Sequence, residues 1–172
     1  RDLGFHDINE PFKKLICQGM VLKDGAKMSK SLGNTVDPTE IISKYGADTA
    51  RIFILFGAPI EKDLEWSDEG TEGSFRFLKR FFNVTANYSE LPVSKENEQE
   101  LKKQLHKVIK KMTSDIKNFQ FNTAISQLME LINQIQKIGT SKETAITMVK
   151  LIAPFAPFIA EDCWKHLNQE SS

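Results

Sequence analysis

The hydrophobic and polar positions divide the chain into a mixed first third and a helical remainder. From Ser67 onward, apolar residues recur every three or four positions, which is the period of an amphipathic helix. Successive helices with short connections predict an antiparallel bundle, so the expected fold class is mainly α. The pattern places the five helices at about 67–88, 101–116, 122–139, 141–152 and 157–167.

Capping signals mark where several helices should begin. Asp37 precedes Pro38, which predicts a short helix that Gly46 ends. We expect Asp48 to cap a second short helix, over 49–56. In the bundle, the expected starts are Ser67, Asn122 and Ser141.

The segment 1–36 has short apolar stretches around a polar loop, 23–34. This pattern indicates a strand or extended segment that leads into a flexible loop. Gly25 and Gly33 lie near the two ends of the loop, where glycine permits unusual backbone angles and close approach to a ligand.

Composition narrows the class of protein. The chain has 172 residues, of which 40% are hydrophobic, enough for a sizeable core. Its 23 basic and 23 acidic residues balance, which excludes a histone-like tail, but residues 76–120 contain 10 basic and 5 acidic residues. A balanced total therefore leaves room for a basic, nucleic-acid-binding face.

The sequence also predicts where the protein works. No apolar stretch reaches the roughly 20 residues of a membrane span, and the chain opens on Arg1 and Asp2 without a signal sequence. Cys17 and Cys163 lie far apart, so we expect two buried thiols rather than a disulfide. These features predict a piece of a longer cytoplasmic protein.

The strongest chemical signal is the run Lys27-Met28-Ser29-Lys30-Ser31. Lysine ammonium groups neutralise phosphate oxygens, and serine hydroxyls and backbone N–H groups can donate further hydrogen bonds. The run therefore suits a polyanion such as a nucleotide triphosphate. From composition alone, a solvated surface turn is the more ordinary interpretation.

A second candidate lies on the helix predicted at 67–88. Arg76, Arg80 and Asn83 follow one another at helical spacing and form a polar stripe. Such a stripe could contact nucleic-acid phosphates, and a solvated helix face explains it equally well.

The run from Lys27 to Ser31 reproduces, letter for letter, the KMSKS signature of class I aminoacyl-tRNA synthetases. With the flanking stretches 33–38, 45–51 and 63–70, the context closely resembles the bacterial-type leucyl-tRNA synthetases. The isoleucyl, valyl and methionyl enzymes share the loop and the Tyr-Gly-Ala-Asp region at 45–48, so the run 64–70 is what favours the leucyl enzymes. The resemblance implies two parts. Residues 1–66 would be the KMSKS loop and stem-contact part of the catalytic core, and residues 67–172 a helical domain of the anticodon-binding type.

The resemblance implies an ATP-dependent ligase, which activates leucine as leucyl-adenylate and transfers it to the 3′ end of tRNA. Lys30 would stabilise the triphosphate with help from Lys27, and Mg²⁺ would accompany ATP without a metal ligand from this chain. The remaining loop residues, Met28, Ser29 and Ser31, would complete the ATP-binding loop. Gly25 and Gly33 would be its hinges, and Arg76, Arg80 and Asn83 would contact tRNA.

The chain departs from the family pattern in one respect. The family's second signature, His-x-Gly-His, is absent, since the three histidines are His6, His106 and His166. The resemblance therefore implies that this chain alone is inactive. It also implies an apolar surface toward the missing nucleotide fold, through which the isolated chain could self-associate.

Two alternatives remain open. An isoleucyl, valyl or methionyl enzyme of the same class would keep the chemistry and change the amino acid. A non-catalytic module that binds tRNA or protein would keep the loop as a relic.

Overall fold

The computed structural model describes residues 3–5, 7–8 and 12–167, and His6 lies outside them. Across these ranges the fold is mainly α, as predicted, with one small sheet. The strands are β1 (Val21–Lys23), β2 (Ala26–Lys27) and β3 (Leu64–Glu65). The helices are α1 (Pro38–Tyr45), α2 (Ala47–Gly57), α3 (Asp68–Ala86), α4 (Glu98–Lys117), α5 (Phe121–Ile138), α6 (Lys142–Ile152) and α7 (Pro157–His166), with 3₁₀ turns at Lys30–Leu32 and Tyr88–Glu90.

The sheet has the order β2-β1-β3. β1 pairs antiparallel with β2 and parallel with β3, so the hairpin is joined to a segment 43 residues further along the chain than β1. Gly19 makes this closure possible, since a Cβ there would lie 2.0 Å from the carbonyl oxygen of Lys62. The predicted strand before the loop is confirmed as β1, and β2 returns from it as a hairpin.

The helices bury one continuous core, with α3 packed against α2, α5, α6 and α7. The predicted caps at Ser67 and Ser141 are confirmed, because each hydroxyl accepts a hydrogen bond from the backbone N–H three residues on. The largest wholly buried side chains include Phe77, Phe81, Leu101, Met112, Ile125, Ile132, Met148 and Phe155.

Two predicted caps are wrong. Asn122 lies inside α5, which begins at Phe121 after Gln120 and has no side-chain cap. Asp48 lies in the first turn of α2 rather than before it. Its Oδ2 accepts a hydrogen bond of 2.7 Å from the backbone N–H of Ile159, so Asp48 caps α7, whose own preceding residue supplies no cap.

Arg51 strengthens the same junction between α2 and the corner before α7. Its Nε donates to the carbonyl of Phe155 at 2.9 Å, and a terminal nitrogen donates to that of Pro154 at 3.1 Å. The first third of the chain is therefore tied directly to the helical part. In this respect α2 behaves as a member of the bundle.

The two thiols differ in exposure. Cys163 is buried as predicted, and burial raises its pKa to about 11, so this thiol stays protonated at neutral pH. Cys17 is exposed, which corrects the expectation that both are buried; it lies in a segment before β1 whose described residues are mostly exposed. In the described part of the chain, no helix combines the length and apolarity that crossing a membrane requires.

Candidate functional site

The lysine–serine run forms a short, well-defined turn at the end of the hairpin. Lys27 ends β2 and Lys30 begins a 3₁₀ turn, and both side chains are exposed. Ser29 caps this turn, because its Oγ accepts a hydrogen bond of 3.3 Å from the backbone N–H of Leu32. The hydroxyls of Ser29 and Ser31 lie 3.1 Å apart, within hydrogen-bonding distance of each other.

Both glycines that flank the run adopt left-handed backbone conformations. Gly33 ends the 3₁₀ turn with φ +64°, and its N–H donates to the carbonyl of Lys30 at 3.2 Å. Gly25 (φ +71°) follows Asp24 (φ +56°), and two such residues form the tight turn that suits an antiparallel hairpin. Both positions therefore favour glycine, and their role as hinges stays a prediction.

Asn34 holds the loop together from its far end. Its Oδ1 accepts a hydrogen bond of 2.8 Å from the N–H of Ser29. Its Nδ2 donates to the carbonyls of Lys23 at 3.4 Å and Lys27 at 3.3 Å. The amide thus joins both strands of the hairpin to the turn that carries Lys30.

Two carboxylates from the β3 region also fix the hairpin. Asp63 Oδ1 accepts a hydrogen bond of 2.7 Å from the N–H of Met20, and Glu65 Oε1 accepts one of 3.0 Å from that of Gly25. The sequence carries no local signal for either contact, because the partners are 43 and 40 residues apart.

The predicted polar stripe lies on α3, but its members have different partners. Arg76 forms an exposed ion pair of 3.2 Å with Glu72. Arg80 donates a hydrogen bond of 3.0 Å to Oδ1 of Asn133 on α5. Both arginines line a shallow depression of about 560 Å³ together with Gly73 and Lys79, whereas Asn83 lines a different cleft.

That cleft, of about 700 Å³, lies between the α1–α2 corner, α3 and α7. Its lining is largely apolar, and no residue of the lysine–serine run takes part in it. Phe75 and Phe82 border it, which explains why α3 carries more apolar residues than its buried face needs. The lining comprises Tyr45, Gly46, Ala47, Asp48, Thr49, Phe75, Leu78, Lys79, Phe82, Asn83, Phe158, Ile159 and Asp162.

No group of three or more potential metal ligands occurs in the ranges that the structure describes. The candidate site presents cationic and hydrogen-bonding groups: Lys27, Lys30 and the backbone N–H groups of the loop.

Two family models match the chain. That of the class I tRNA synthetases for isoleucine, leucine, methionine and valine matches residues 5–67, and that of the anticodon-binding domain of tRNA ligases matches residues 98–172. Leucine–tRNA ligase of Geotalea uraniireducens (strain Rf4) is 49% identical over the whole chain, and that of Geobacter sp. (strain M21) is 46% identical over 99% of it.

Two solved structures share the fold. One is the ternary complex of Agrobacterium radiobacter K84 agnB2 LeuRS with tRNA and LeuAMS, with a TM-score of 0.85, 31% identity and coverage of 99% of this chain and 24% of that one. The other is Mycobacterium tuberculosis methionyl-tRNA synthetase in complex with methionyl-adenylate, with a TM-score of 0.71. At 19% identity over 89% of this chain and 38% of that one, it shows the fold alone.

The chain is related in sequence and in fold to the class I aminoacyl-tRNA synthetases. Within that class it is homologous to the leucine–tRNA ligases, which confirms the resemblance carried by the loop and its flanking stretches. It spans 23% of the length of these ligases.

Proposed function

We propose that this chain is the part of a leucine–tRNA ligase that supplies the ATP loop and a helical tRNA-binding domain. The observation that carries the proposal is the presentation of Lys27 and Lys30, both exposed on a loop whose turn the Asn34 side chain joins to both hairpin strands. Two exposed ammonium groups on such a loop suit a triphosphate. We assign this part to residues 1–66 and the helical domain to residues 67–172.

In the proposed reaction, a leucine carboxylate oxygen attacks the α-phosphorus of ATP and pyrophosphate leaves. Lys30 neutralises charge that develops on the departing phosphates, and Lys27 assists it. Met28, Ser29 and Ser31 shape the loop, and Gly25 and Gly33 let it close over ATP. Mg²⁺ is expected to arrive bound to the ATP phosphates, as it commonly does. The 3′-terminal ribose hydroxyl of tRNA then attacks the leucyl carbonyl and AMP leaves.

The proposal is tested with the full-length protein that contains this chain. We propose that this protein works in the cytoplasm, where translation uses charged tRNA. We expect leucine-dependent pyrophosphate exchange and charging of tRNA with leucine. The 172-residue chain alone should give no exchange. Charging with isoleucine, valine or methionine instead would contradict the amino acid, and no charging at all would favour a non-catalytic tRNA-binding module.

Replacement of Lys30 tests the loop itself. Lys30→Ala in the full-length protein should lower the rate of leucine-dependent exchange roughly 10²- to 10³-fold, the usual cost of losing one group that stabilises transition-state charge. Affinity for tRNA should stay unchanged, since the loop acts on the triphosphate. Lys103→Ala, which removes an exposed lysine from α4, is the matched control. Equal exchange rates in the two variants would remove Lys30 from the mechanism.

We further propose that the α3 face bearing Arg76, Arg80 and Asn83 contacts the tRNA backbone. Arg76 and Arg80 share a shallow depression with Lys79, so three cations lie on one surface. The bond to Asn133 holds Arg80 in a defined position, which lowers the entropy lost when it binds a phosphate.

Salt dependence tests this contact. Arg76→Ala with Arg80→Ala should weaken tRNA binding and reduce the slope of log K against log salt by about one unit for each lost phosphate contact. Asn133→Ala is the first control, since it removes the partner of Arg80 and keeps the charge. Lys103→Ala with Lys107→Ala, the same loss of charge on α4, is the second. A slope that falls equally in the lysine control would indicate only a general charge effect.

A further inference from the structure

The side chain of Asn34 bonds three separate backbone groups, and all three belong to the lysine loop or the strands that carry it. It accepts from the N–H of Ser29 and donates to the carbonyls of Lys23 and Lys27. Lys23 ends β1, Lys27 ends β2 and Ser29 caps the 3₁₀ turn, so one amide joins three structural pieces.

Only a short carboxamide meets the requirements of this position. The three backbone groups present one donor and two acceptors, and they need one acceptor and two donors in return. An asparagine side chain provides this set, whereas an ionised aspartate of the same shape provides acceptors only. Aspartate would therefore keep the bond from Ser29 and face two carbonyl oxygens with negative charge.

Two of the backbone groups that Asn34 bonds, and so braces, lie directly beside Lys27 and Lys30. The Lys27 carbonyl and the Ser29 N–H enclose Met28, and Lys30 follows at once. Because one amide holds both groups, it also sets the direction in which the backbone projects the Lys30 side chain. A displacement of about 1 Å in a catalytic group can cost on the order of 10²-fold in rate.

We propose that Asn34 is a positioning residue for adenylation, which acts through Lys30 by holding the backbone of the loop. The inference rests on the proposed function. It adds a residue whose role is geometric, since its three bonding partners are all main-chain groups.

The first test compares Asn34→Asp and Asn34→Ala in the full-length protein. Both should lower kcat for leucine-dependent pyrophosphate exchange by roughly 10- to 100-fold, while the KM for leucine stays unchanged. Transfer of leucine from preformed leucyl-adenylate to tRNA should proceed at the wild-type rate. Asn97→Asp, the same chemical change at a residue before α4 without a side-chain cap bond, should alter neither step. Wild-type exchange in both Asn34 variants would overturn the proposal.

The second test is a double-mutant cycle with Lys30→Ala. If Asn34 acts through Lys30, Asn34→Asp should change kcat by less than about twofold once Lys30 is absent, because interacting sites are non-additive. A full, additive loss would indicate a merely structural role and overturn the proposal.

The brace that Asn34 forms with the loop backbone is tested in the full-length protein, by limited cleavage with trypsin after Lys27 and Lys30. Asn34→Asp should raise the cleavage rate at both lysines several-fold over wild type and over Asn97→Asp, because a released loop fits a protease better. Unchanged cleavage would overturn the brace. Faster cleavage in a full-length protein whose wild type lacks exchange would uphold the brace and reject the proposed function, which separates the two failures.

Discussion

At the scale of single residues, Asp48 shows how one side chain can serve a helix far from its own. It is 7% exposed, it lies in the first turn of α2, and it accepts the N–H of Ile159 in the first turn of α7. Position in sequence indicates an acceptor near a helix start. The identity of that helix depends on tertiary packing, which brings residues 111 apart in sequence together.

Burial makes the ionised form of Asp48 costly. Desolvation raises its pKa above the ordinary 3.8, ahead of the lowering by the N–H groups of Ile159 and Phe158 and by Arg51. The folded protein therefore binds the proton more tightly than the unfolded chain. The contribution of this group to stability is greatest below pH 3.8 and falls as pH rises through the raised pKa.

Asp48→Asn keeps a hydrogen-bond acceptor and removes the charge. We expect its free energy of unfolding to equal that of wild type near pH 3.5 and to exceed it increasingly as pH rises toward neutrality. Asp48→Ala should lose about 1–2 kcal/mol near pH 3.5 as a lost cap, and its loss relative to wild type should shrink as pH rises. Urea unfolding of the chain between pH 3.5 and 7 measures both. Glu130→Gln, which removes an exposed carboxylate from α5, controls for net charge; a relative loss of stability in Asp48→Asn with rising pH would refute the assignment.

At the scale of elements, local patterns predict most helix starts correctly. Asp37, Ser67 and Ser141 each accept from a backbone N–H two or three residues ahead, so the signal and the bond lie within the same turn. Asn122 fails because α5 begins one residue earlier, after Phe119 takes a positive φ of 57° at the α4–α5 turn. That turn is set by the packing of two helices, which a local pattern does not contain.

Helix α3 shows the limit of periodicity. The apolar period predicts one amphipathic face, yet α3 packs against four helices and borders the open cleft. Phe77 and Phe81 enter the core, while Phe75 and Phe82 line the cleft. Residue types alone do not separate these two sets, because both are phenylalanines at helical spacing.

For the loop that carries Lys27 and Lys30, the sequence predicts the kind of ligand well but does not predict the hydrogen bonds that set the loop's conformation. Its five letters indicate a polyanion site, and Gly25 and Gly33 do have the left-handed backbone that glycine favours. The bonds from Asn34, Asp63 and Glu65 connect residues 5 to 43 apart, so they exist only once the hairpin and β3 have formed.

At the scale of the whole molecule, the apolar surface is unevenly distributed. The segment before β1 carries several large hydrophobic side chains that are mostly exposed, although apolar groups usually gain by burial. The helical bundle buries its own core, so this exposed segment is the part of the described chain best suited to pack against another surface. The exposed fractions are 82% for Leu3, 86% for Phe5, 61% for Ile8, 81% for Phe12 and 86% for Leu15.

We therefore expect the isolated 172-residue chain to self-associate through this segment. Phe12→Ser with Leu15→Ser should shift the species seen in sedimentation velocity toward the monomer, because two exposed apolar side chains are lost from the contact. Phe158→Ser, which alters a residue 67% exposed at the cleft, is the matched control and should leave association unchanged. In the full-length protein the Phe12 and Leu15 variants should instead lower the free energy of unfolding, since the same side chains would be buried within one molecule. Unchanged association in the double variant would contradict this prediction, and loss of association in Phe158→Ser alone would place the contact on the cleft.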